Sequence, residues 1–134
     1  MSRENVEVVM RVAAAFSDGD FETSFALLDP EVRLYPRSEE PGVEDVYHGH
    51  EGIFEWAVNW YSQWDEYEVE PVKLQDAPEE QVLVVFQERG CMEQMGITVE
   101  QEFSHSFIVR DGKIVEWRQY DSHQEALEAV GLRE

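Results

Sequence analysis

The sequence predicts an α+β domain in which three helices of the first half pack against a curved antiparallel sheet. Apolar residues recur mostly at helical spacing before position 65, whereas apolar and polar residues alternate along most of the second half. Turn residues are spread through all 134 residues without a repeat or linker, which predicts a single domain over residues 1–134. Helices that close such a sheet incompletely leave a cone-shaped pocket, and a short helix is predicted at the carboxyl terminus.

Three helices are predicted in the first half of the chain. The first has its apolar residues on one stripe with a period of 3.6 residues, and these are Val6, Val9, Met10, Ala13 and Phe16. A short second helix starts at the Asp20 cap and stops at Asp29-Pro30, because a residue before proline avoids helical backbone. A third is predicted from His50 to about Asp65, with a tryptophan stripe that either fills the core or walls a pocket.

Strands are predicted at residues 32–36, 67–74, 82–89 and 97–109, and a loop is predicted at 37–49. Pro71 marks an edge strand or a bulge, and residues 90–96 are expected to be turns or irregular strand. Residues 97–109 alternate cleanly, which places His105 on an apolar face between two phenylalanines. Ser122 begins a capping box for the last helix, and Gly131 ends that helix.

The turn at residues 110–113 decides how the last two strands pair. A two-residue loop would pair His105 with Arg118. A three-residue loop with Gly112 in a left-handed bulge would pair His105 with Trp117 and match apolar with apolar residues. We therefore predict the three-residue loop. It brings four residues of the last strand to the His105 face: Val115, Trp117, Gln119 and Asp121.

The composition excludes several classes of function. Ten Lys and Arg against 30 Asp and Glu give a formal charge of −20, which opposes binding to nucleic acid, anionic membranes and strongly anionic substrates. The longest apolar run, residues 82–86, is too short to cross a membrane, and no signal-peptide core opens the chain, so we expect a cytoplasmic protein. We expect no metal and no cofactor, since no phosphate-binding loop is present and Cys91 is alone.

Four motifs carry a resemblance to a known family. They are Ala14-Ala15-Phe16-Ser17-Asp18-Gly19-Asp20-Phe21, Gly49-His50-Glu51-Gly52-Ile53, Arg110-Asp111-Gly112-Lys113-Ile114-Val115 and Glu125-Ala126-Leu127-Glu128-Ala129-Val130-Gly131-Leu132. In this order and spacing they resemble SnoaL-like proteins of the nuclear transport factor 2-like superfamily. The resemblance implies a curved sheet around three helices with a pocket at one end, as in polyketide cyclases, ketosteroid isomerases, epoxide hydrolases and pure binding domains.

The resemblance also implies where functional residues would fall. The ketosteroid isomerase positions correspond to Val12, Tyr35 and His105, so that catalytic set is not retained. The cyclase histidine corresponds to His105, whereas the cyclase carboxylate corresponds to Gln119, which cannot take up a proton at neutral pH. Asp121 has the same strand parity and could supply the missing carboxylate. No epoxide hydrolase triad is present, because Arg118 and Asp121 have opposite parity.

From these observations we expect a pocket for a small apolar or aromatic molecule. Its expected walls are Phe16, Trp56, Trp60, Phe103, Phe107 and Trp117. Its polar groups would be Gln101, His105 and Gln119, with Tyr35 near the mouth. Two functions stay open: a cofactor-independent acid–base enzyme for a ring-containing carbonyl compound, with His105 as base or donor and Asp121 as carboxylate, or a non-catalytic ligand-binding or scaffold domain.

Two further questions stay open at this stage. The sequence leaves undecided whether Glu88 or Glu93 faces the pocket. Many relatives dimerise through the outer face of the sheet, so a homodimer is expected by resemblance. Its contact would come from Ile108, Ile114 and Tyr120, which the strand alternation assigns to that face.

Overall fold

A computed structural model describes residues 2–37 and 46–132, with helices and strands in the expected order. The helices are α1 (Ser2–Ser17), α2 (Phe21–Ala26), α3 (Gly49–Tyr61) and α4 (His123–Val130). The strands are β1 (Leu28–Tyr35), β2 (Tyr47–His48), β3 (Glu66–Ala77), β4 (Gln81–Met92), β5 (Ile97–Arg110) and β6 (Lys113–Gln119). Residues 38–45 of the predicted loop lie outside the described residues, and no described helix is long and apolar enough to cross a membrane.

The six strands form one mixed sheet in the order β2-β1-β6-β5-β4-β3. All neighbouring pairs are antiparallel except β1 and β6, which run parallel. The α+β class is therefore confirmed, with one parallel pair added to an antiparallel sheet. Several predicted boundaries differ: α3 ends at Tyr61, β1 begins at Leu28 before the predicted helix stop, β3 continues to Ala77, and β4 continues to Met92 before a single 3₁₀ turn. The short strand β2 also lies within the loop predicted at 37–49.

The main core lies between the sheet and helices α1 and α3. These helices bury Val9, Val12, Phe16, Ile53, Trp56 and Ala57 against the sheet. The sheet contributes Val32, Leu34, Val82, Val84, Phe107, Val109, Ile114 and Trp117. Burial of this apolar surface is the main stabilising contribution to the fold.

The opposite face of the sheet is partly covered by α4. A second cluster joins Ala77, Leu83, Tyr120, Ala126, Leu127 and Val130. The Tyr120 hydroxyl also lies 2.8 Å from the Ser106 hydroxyl. Of the three residues that the sequence assigned to this outer face, Ile114 is assigned wrongly, because it belongs to the main core. Tyr120 does lie on the outer face but is covered by α4, and Ile108 is partly buried. The homodimer itself stays a prediction.

The β5–β6 hairpin differs from both alternatives considered for it. Arg110 pairs with Lys113, and Asp111 and Gly112 have φ of 53° and 76°, so the loop has two residues in left-handed backbone. The register then shifts between the Ile108 and Val109 pairs, because β6 contributes one extra residue at that point. This bulge restores the predicted parity of Trp117 and Gln119, although the predicted three-residue loop is wrong and Ile114, instead of Val115, belongs to the main core.

The bulge determines which residues of β6 lie opposite the long strand. His105 pairs with Gln119, and Phe107 pairs with Trp117. The predicted pairing of His105 with Trp117 is therefore wrong by two residues along β6. Trp117 and Gln119 nevertheless share the His105 face, as the sequence predicted.

Candidate functional site

A cavity of about 50 Å³ lies between α1, α3 and the inner face of the sheet. Eight of the residues predicted for a pocket line it: Phe16, Trp56, Trp60, Phe103, His105, Phe107, Trp117 and Gln119. They come from helices and strands that are far apart in the sequence, and the hairpin bulge aligns the last two with β5. The cavity also has a carboxylate on β4, Glu88.

Three predicted site residues lie elsewhere. Tyr35 is on the outer face of β1, where the Arg118 guanidinium carbon lies 4.1 Å from its ring centre. Asp121 is exposed beyond the end of β6 and lines a separate surface cleft. Gln101 lines the same cleft, but its side-chain amide donates a hydrogen bond to Glu88. Gln101 therefore does not line the cavity itself but holds the Glu88 carboxylate that does.

Glu88 is the buried acid of the cavity, with only 1% of its surface exposed. It follows Val82, Val84 and Phe86 on the inward side of β4, so strand alternation turns its side chain into the cavity. The Tyr67 hydroxyl donates to Glu88 Oε2 over 2.6 Å, and Gln101 donates to Oε1. Glu93, the other candidate, is exposed in the 3₁₀ turn, so the open question is decided in favour of Glu88.

Two tyrosines near this carboxylate stay protonated at neutral pH. Burial, followed by the charge of Glu88, raises the pKa of Tyr61 to about 12. Burial also raises the pKa of Tyr67, and its hydrogen bond to Glu88 adds to that shift. Both phenols are therefore neutral hydrogen-bond donors rather than bases.

His105 is buried and holds one defined tautomer. The Trp117 indole N–H donates to its Nδ1 over 3.0 Å, and an indole nitrogen can only donate. Nδ1 must therefore carry the lone pair, and the proton of the neutral ring lies on Nε2. Burial, followed by the charge of Arg37, lowers the pKa of His105 well below its ordinary value. His105 is a neutral donor at physiological pH and has no free lone pair with which to act as a base.

Two more donors lie at the His105 end of the cavity. Gln119 is opposite His105, and its side-chain amide makes no hydrogen bond within residues 2–37 and 46–132. The Trp56 indole nitrogen is buried and lacks an acceptor in the same part of the chain. Buried donors without partners are unfavourable, so an acceptor atom of a ligand or water in the cavity would stabilise this end.

The cavity thus has two chemically different ends. Glu88 pairs with Gln101 on β5, and Gln101 is four residues from His105 on the same strand. The Cα atoms at the two ends of the cavity are therefore offset by about 13 Å along the strand. The stacked rings of Phe86 and Phe103, with centres 5.2 Å apart, lie between the two ends. One end carries a carboxylate, and the other carries neutral donors together with the nearby Arg37.

The two histidines near the start of α3, His48 and His50, do not line the cavity. His48 is exposed, and His50 Nε2 lies 2.8 Å from the Leu28 carbonyl oxygen. Among the described residues, no three His, Cys, Asp or Glu side chains are arranged to hold a metal ion. The expectation that the protein needs no metal or cofactor stays a prediction.

Comparisons with known proteins agree with this architecture. Of the solved structures, TerC co-crystallised with polyporic acid is 22% identical, with a TM-score of 0.77 over 95% of this chain and 97% of that one. Bal32a from a soil-derived mobile gene cassette is 17% identical, with a TM-score of 0.81 over 96% and 97% of the two chains. A candidate SnoaL-like polyketide cyclase from Jannaschia sp. CCS1 is 17% identical, with a TM-score of 0.76 over 99% and 95%.

No curated protein matches the chain. At these identities the structural matches demonstrate the fold alone. The family model of the SnoaL-like domain, in contrast, matches residues 9–117, which is most of the sequence. The chain therefore belongs to the SnoaL-like domain family.

Proposed function

We propose that this protein is a cofactor-independent acid–base enzyme that acts on an apolar, ring-containing carbonyl compound. The observation that carries the proposal is a buried carboxylate, Glu88, in the same apolar cavity as a neutral imidazole donor, His105. Proton abstraction next to a carbonyl needs a base for the carbon acid and donors for the oxygen that becomes negative. The two ends of the cavity supply these two kinds of group, but their Cα atoms are offset by about 13 Å along the strand, with Phe103 between them. The proposal therefore requires Phe103 and the catalytic side chains to move so that both groups reach one substrate.

The proposed reaction begins when Glu88 takes a proton from the carbon next to the carbonyl group. The electron pair of the broken C–H bond moves into a new C=C bond, and the carbonyl oxygen becomes an enolate. His105 Nε2–H and the Gln119 amide donate hydrogen bonds to that oxygen, and Arg37 adds a favourable positive potential. Glu88 then returns the proton to another carbon of a conjugated enolate, or the enolate carbon attacks a second carbonyl group of the substrate and the protonated Glu88 gives its proton to the alkoxide that forms.

This mechanism changes the roles predicted from the sequence. His105 was expected to be either base or donor, and its tautomer supports the donor role alone. Asp121 was expected to supply a carboxylate, but it is absent from the cavity lining, so Glu88 takes this role in the proposal. Gln119 keeps its expected role as a polar contact for the ligand.

The free volume limits how a ring compound could bind. A cavity of about 150 Å³ accommodates benzene in an engineered protein core, which is about three times the free volume here. Arg37 and Phe103 line both the cavity and the neighbouring surface cleft, so they separate the two spaces. The proposal therefore requires these side chains to move when a ring enters.

The test is proton exchange catalysed by the purified protein. Cyclic ketones and diketones in D₂O are followed by NMR, and we expect deuterium to replace the proton next to the carbonyl. Glu88→Gln should lower the exchange rate by about 10² to 10⁴, and His105→Leu by about 10² to 10³. Glu93→Gln removes the same charge from an exposed site and should leave exchange unchanged. Undiminished exchange in Glu88→Gln would overturn the assignment of the base.

A second candidate function is ligand binding without turnover. The observation that favours it is Gln119, the neutral residue at the position where the family resemblance expects a cyclase carboxylate. In that case ring compounds would bind without deuterium exchange. Gln119→Asp would then be expected to create exchange activity in an otherwise inactive protein.

A further inference from the structure

Glu88 is a buried carboxylate without a cationic partner in the described part of the chain. Its two contacts are neutral, the Tyr67 hydroxyl and the Gln101 amide. The ion pairs formed between described residues all lie at other carboxylates. Hydrogen bonds from neutral donors stabilise the charge, but a buried charge without a counter-ion remains unfavourable. A ligand that brought a positive charge would relieve this cost.

Aromatic rings surround the same end of the cavity. Trp60, Tyr61 and Tyr67 all line it together with Glu88. The Trp60 and Tyr67 rings are 6.0 Å apart at 88°, and the Tyr61 and Tyr67 rings are 5.5 Å apart at 77°. These are edge-to-face contacts in which the rings touch one another, and each ring also lines the cavity that contains Glu88. Aromatic surface next to a carboxylate favours the alkyl groups and the charge of an ammonium ion.

The faces of these three rings are not taken up by a cation of the described chain. The cation–π contacts between described residues involve Arg37 with Phe103 and Arg118 with Tyr35. The Trp64 ring packs against this group of rings, with its centre 5.5 Å from that of Tyr67, and lies against Gly90. Packing therefore fixes the positions of the rings, and Glu88 is the charged group beside them.

We propose that this end of the cavity binds a small alkylammonium ion, with Glu88 as the counter-ion and Trp60, Tyr61 and Tyr67 around the alkyl groups. The free volume of about 50 Å³ is about a third of a cavity that holds benzene, so an ion with several methyl groups, like a ring, requires side chains to move. The net charge of −20 also attracts cations to the protein from a distance. This binding goes beyond the proposed proton transfer and does not depend on turnover.

The first test compares two ligands of similar tetrahedral shape on the full chain. Tetramethylammonium carries a charge, and tert-butanol does not. Isothermal titration calorimetry at constant ionic strength should give at least about tenfold tighter binding of the cation. Equal affinities for the two ligands would overturn the proposal, and this comparison needs no variant.

Variants then locate the site. Glu88→Gln should remove the preference for the cation, whereas Glu93→Gln removes an exposed charge and should leave the preference intact. Trp60→Leu should weaken tetramethylammonium binding several-fold while the tert-butanol affinity changes less. If Glu93→Gln lost as much affinity as Glu88→Gln, the binding would reflect the overall charge, and the proposed site would be wrong.

The binding and exchange experiments distinguish the proposed cation site from the proposed enzyme function. Deuterium exchange without a preference for the cation would overturn this inference alone. Cation binding without deuterium exchange would overturn the enzyme function alone. Where exchange is observed, tetramethylammonium should inhibit it, because both processes use Glu88.

Discussion

Replacing His105 with glutamine should change how the stability of the protein depends on pH. The native state holds His105 neutral, since burial and Arg37 keep the pKa of the imidazole well below its ordinary value. In the unfolded chain the same imidazole takes up a proton below about pH 6.5. The unfolded state therefore binds more protons, and the free energy of unfolding falls as the pH falls. One such group contributes up to about 1.4 kcal/mol per pH unit.

The assay is urea unfolding between about pH 7.5 and 5. Glutamine can accept the Trp117 hydrogen bond through its carbonyl oxygen, but it does not titrate. The carboxylates of the protein titrate in both proteins, so the difference between them isolates His105. We expect that difference to be constant above about pH 7 and to change below about pH 6.5, with wild type losing stability faster. Parallel curves for the two proteins would refute the neutral, buried state of His105.

Three further substitutions test the packing, each by the urea unfolding free energy. Gly90→Ala should cost about 1–3 kcal/mol, because the new Cβ would lie 2.5 Å from the Trp64 ring, and Trp64→Leu should recover part of that loss. Ile114→Ala should lower the unfolding free energy by about 2–5 kcal/mol, since Ile114 is fully buried. A loss under about 0.5 kcal/mol would contradict this burial and indicate that Ile114 lies on the outer face of the sheet. Ser122→Ala should cost about 1 kcal/mol by removing the cap of α4.

The hydrophobic pattern of the sequence predicted those helices and strands whose apolar residues lie mostly on one face. The helix α1 buries Val9, Ala13 and Phe16 of its predicted stripe, although Met10 is exposed, and α4 has the predicted Ser122 cap with Gly131 at its end. Both helices could therefore be predicted from neighbouring residues. The alternation of β5 likewise predicted that Phe103, His105 and Phe107 share a face, and all three line the cavity. In these segments the local sequence preference and the tertiary packing agree.

The hairpin register depended on a feature that the turn sequence does not contain. The two-residue loop at Asp111 and Gly112 by itself would pair His105 with Arg118. The bulge in β6 shifts that pairing by one residue, and it places Ile114 and Trp117 both in the main core. The bulge is stabilised by this burial, which involves α1 and α3, so only the assembled core determines it.

The sequence also left open whether Glu88 faces the cavity, because its direction depends on contacts with other strands. Both faces of β4 are covered, the inner one by α1 and the outer one by α4, so its first residues are apolar on both sides and hide the alternation. The pairing with Gln101 and the contact with Tyr67 identify its direction, and both come from other strands. A glutamate at strand spacing from Val84 and Phe86 was the signal available in the sequence.

Phe103→Ala distinguishes the two proposed uses of the cavity. A ring compound that reaches His105 must displace Phe103, which stacks on Phe86 and separates the cavity from the surface cleft. A cation beside Glu88 would contact Trp60, Tyr61 and Tyr67 instead, and its proposed site does not include Phe103. We therefore expect the variant to bind ring ketones more tightly and to exchange their protons faster, while its affinity for tetramethylammonium stays within about twofold. The same calorimetric and NMR measurements apply. If the affinities for both ligands changed together, Phe103 would not act selectively on ring compounds, and the proposed distinction between the two uses of the cavity would be wrong.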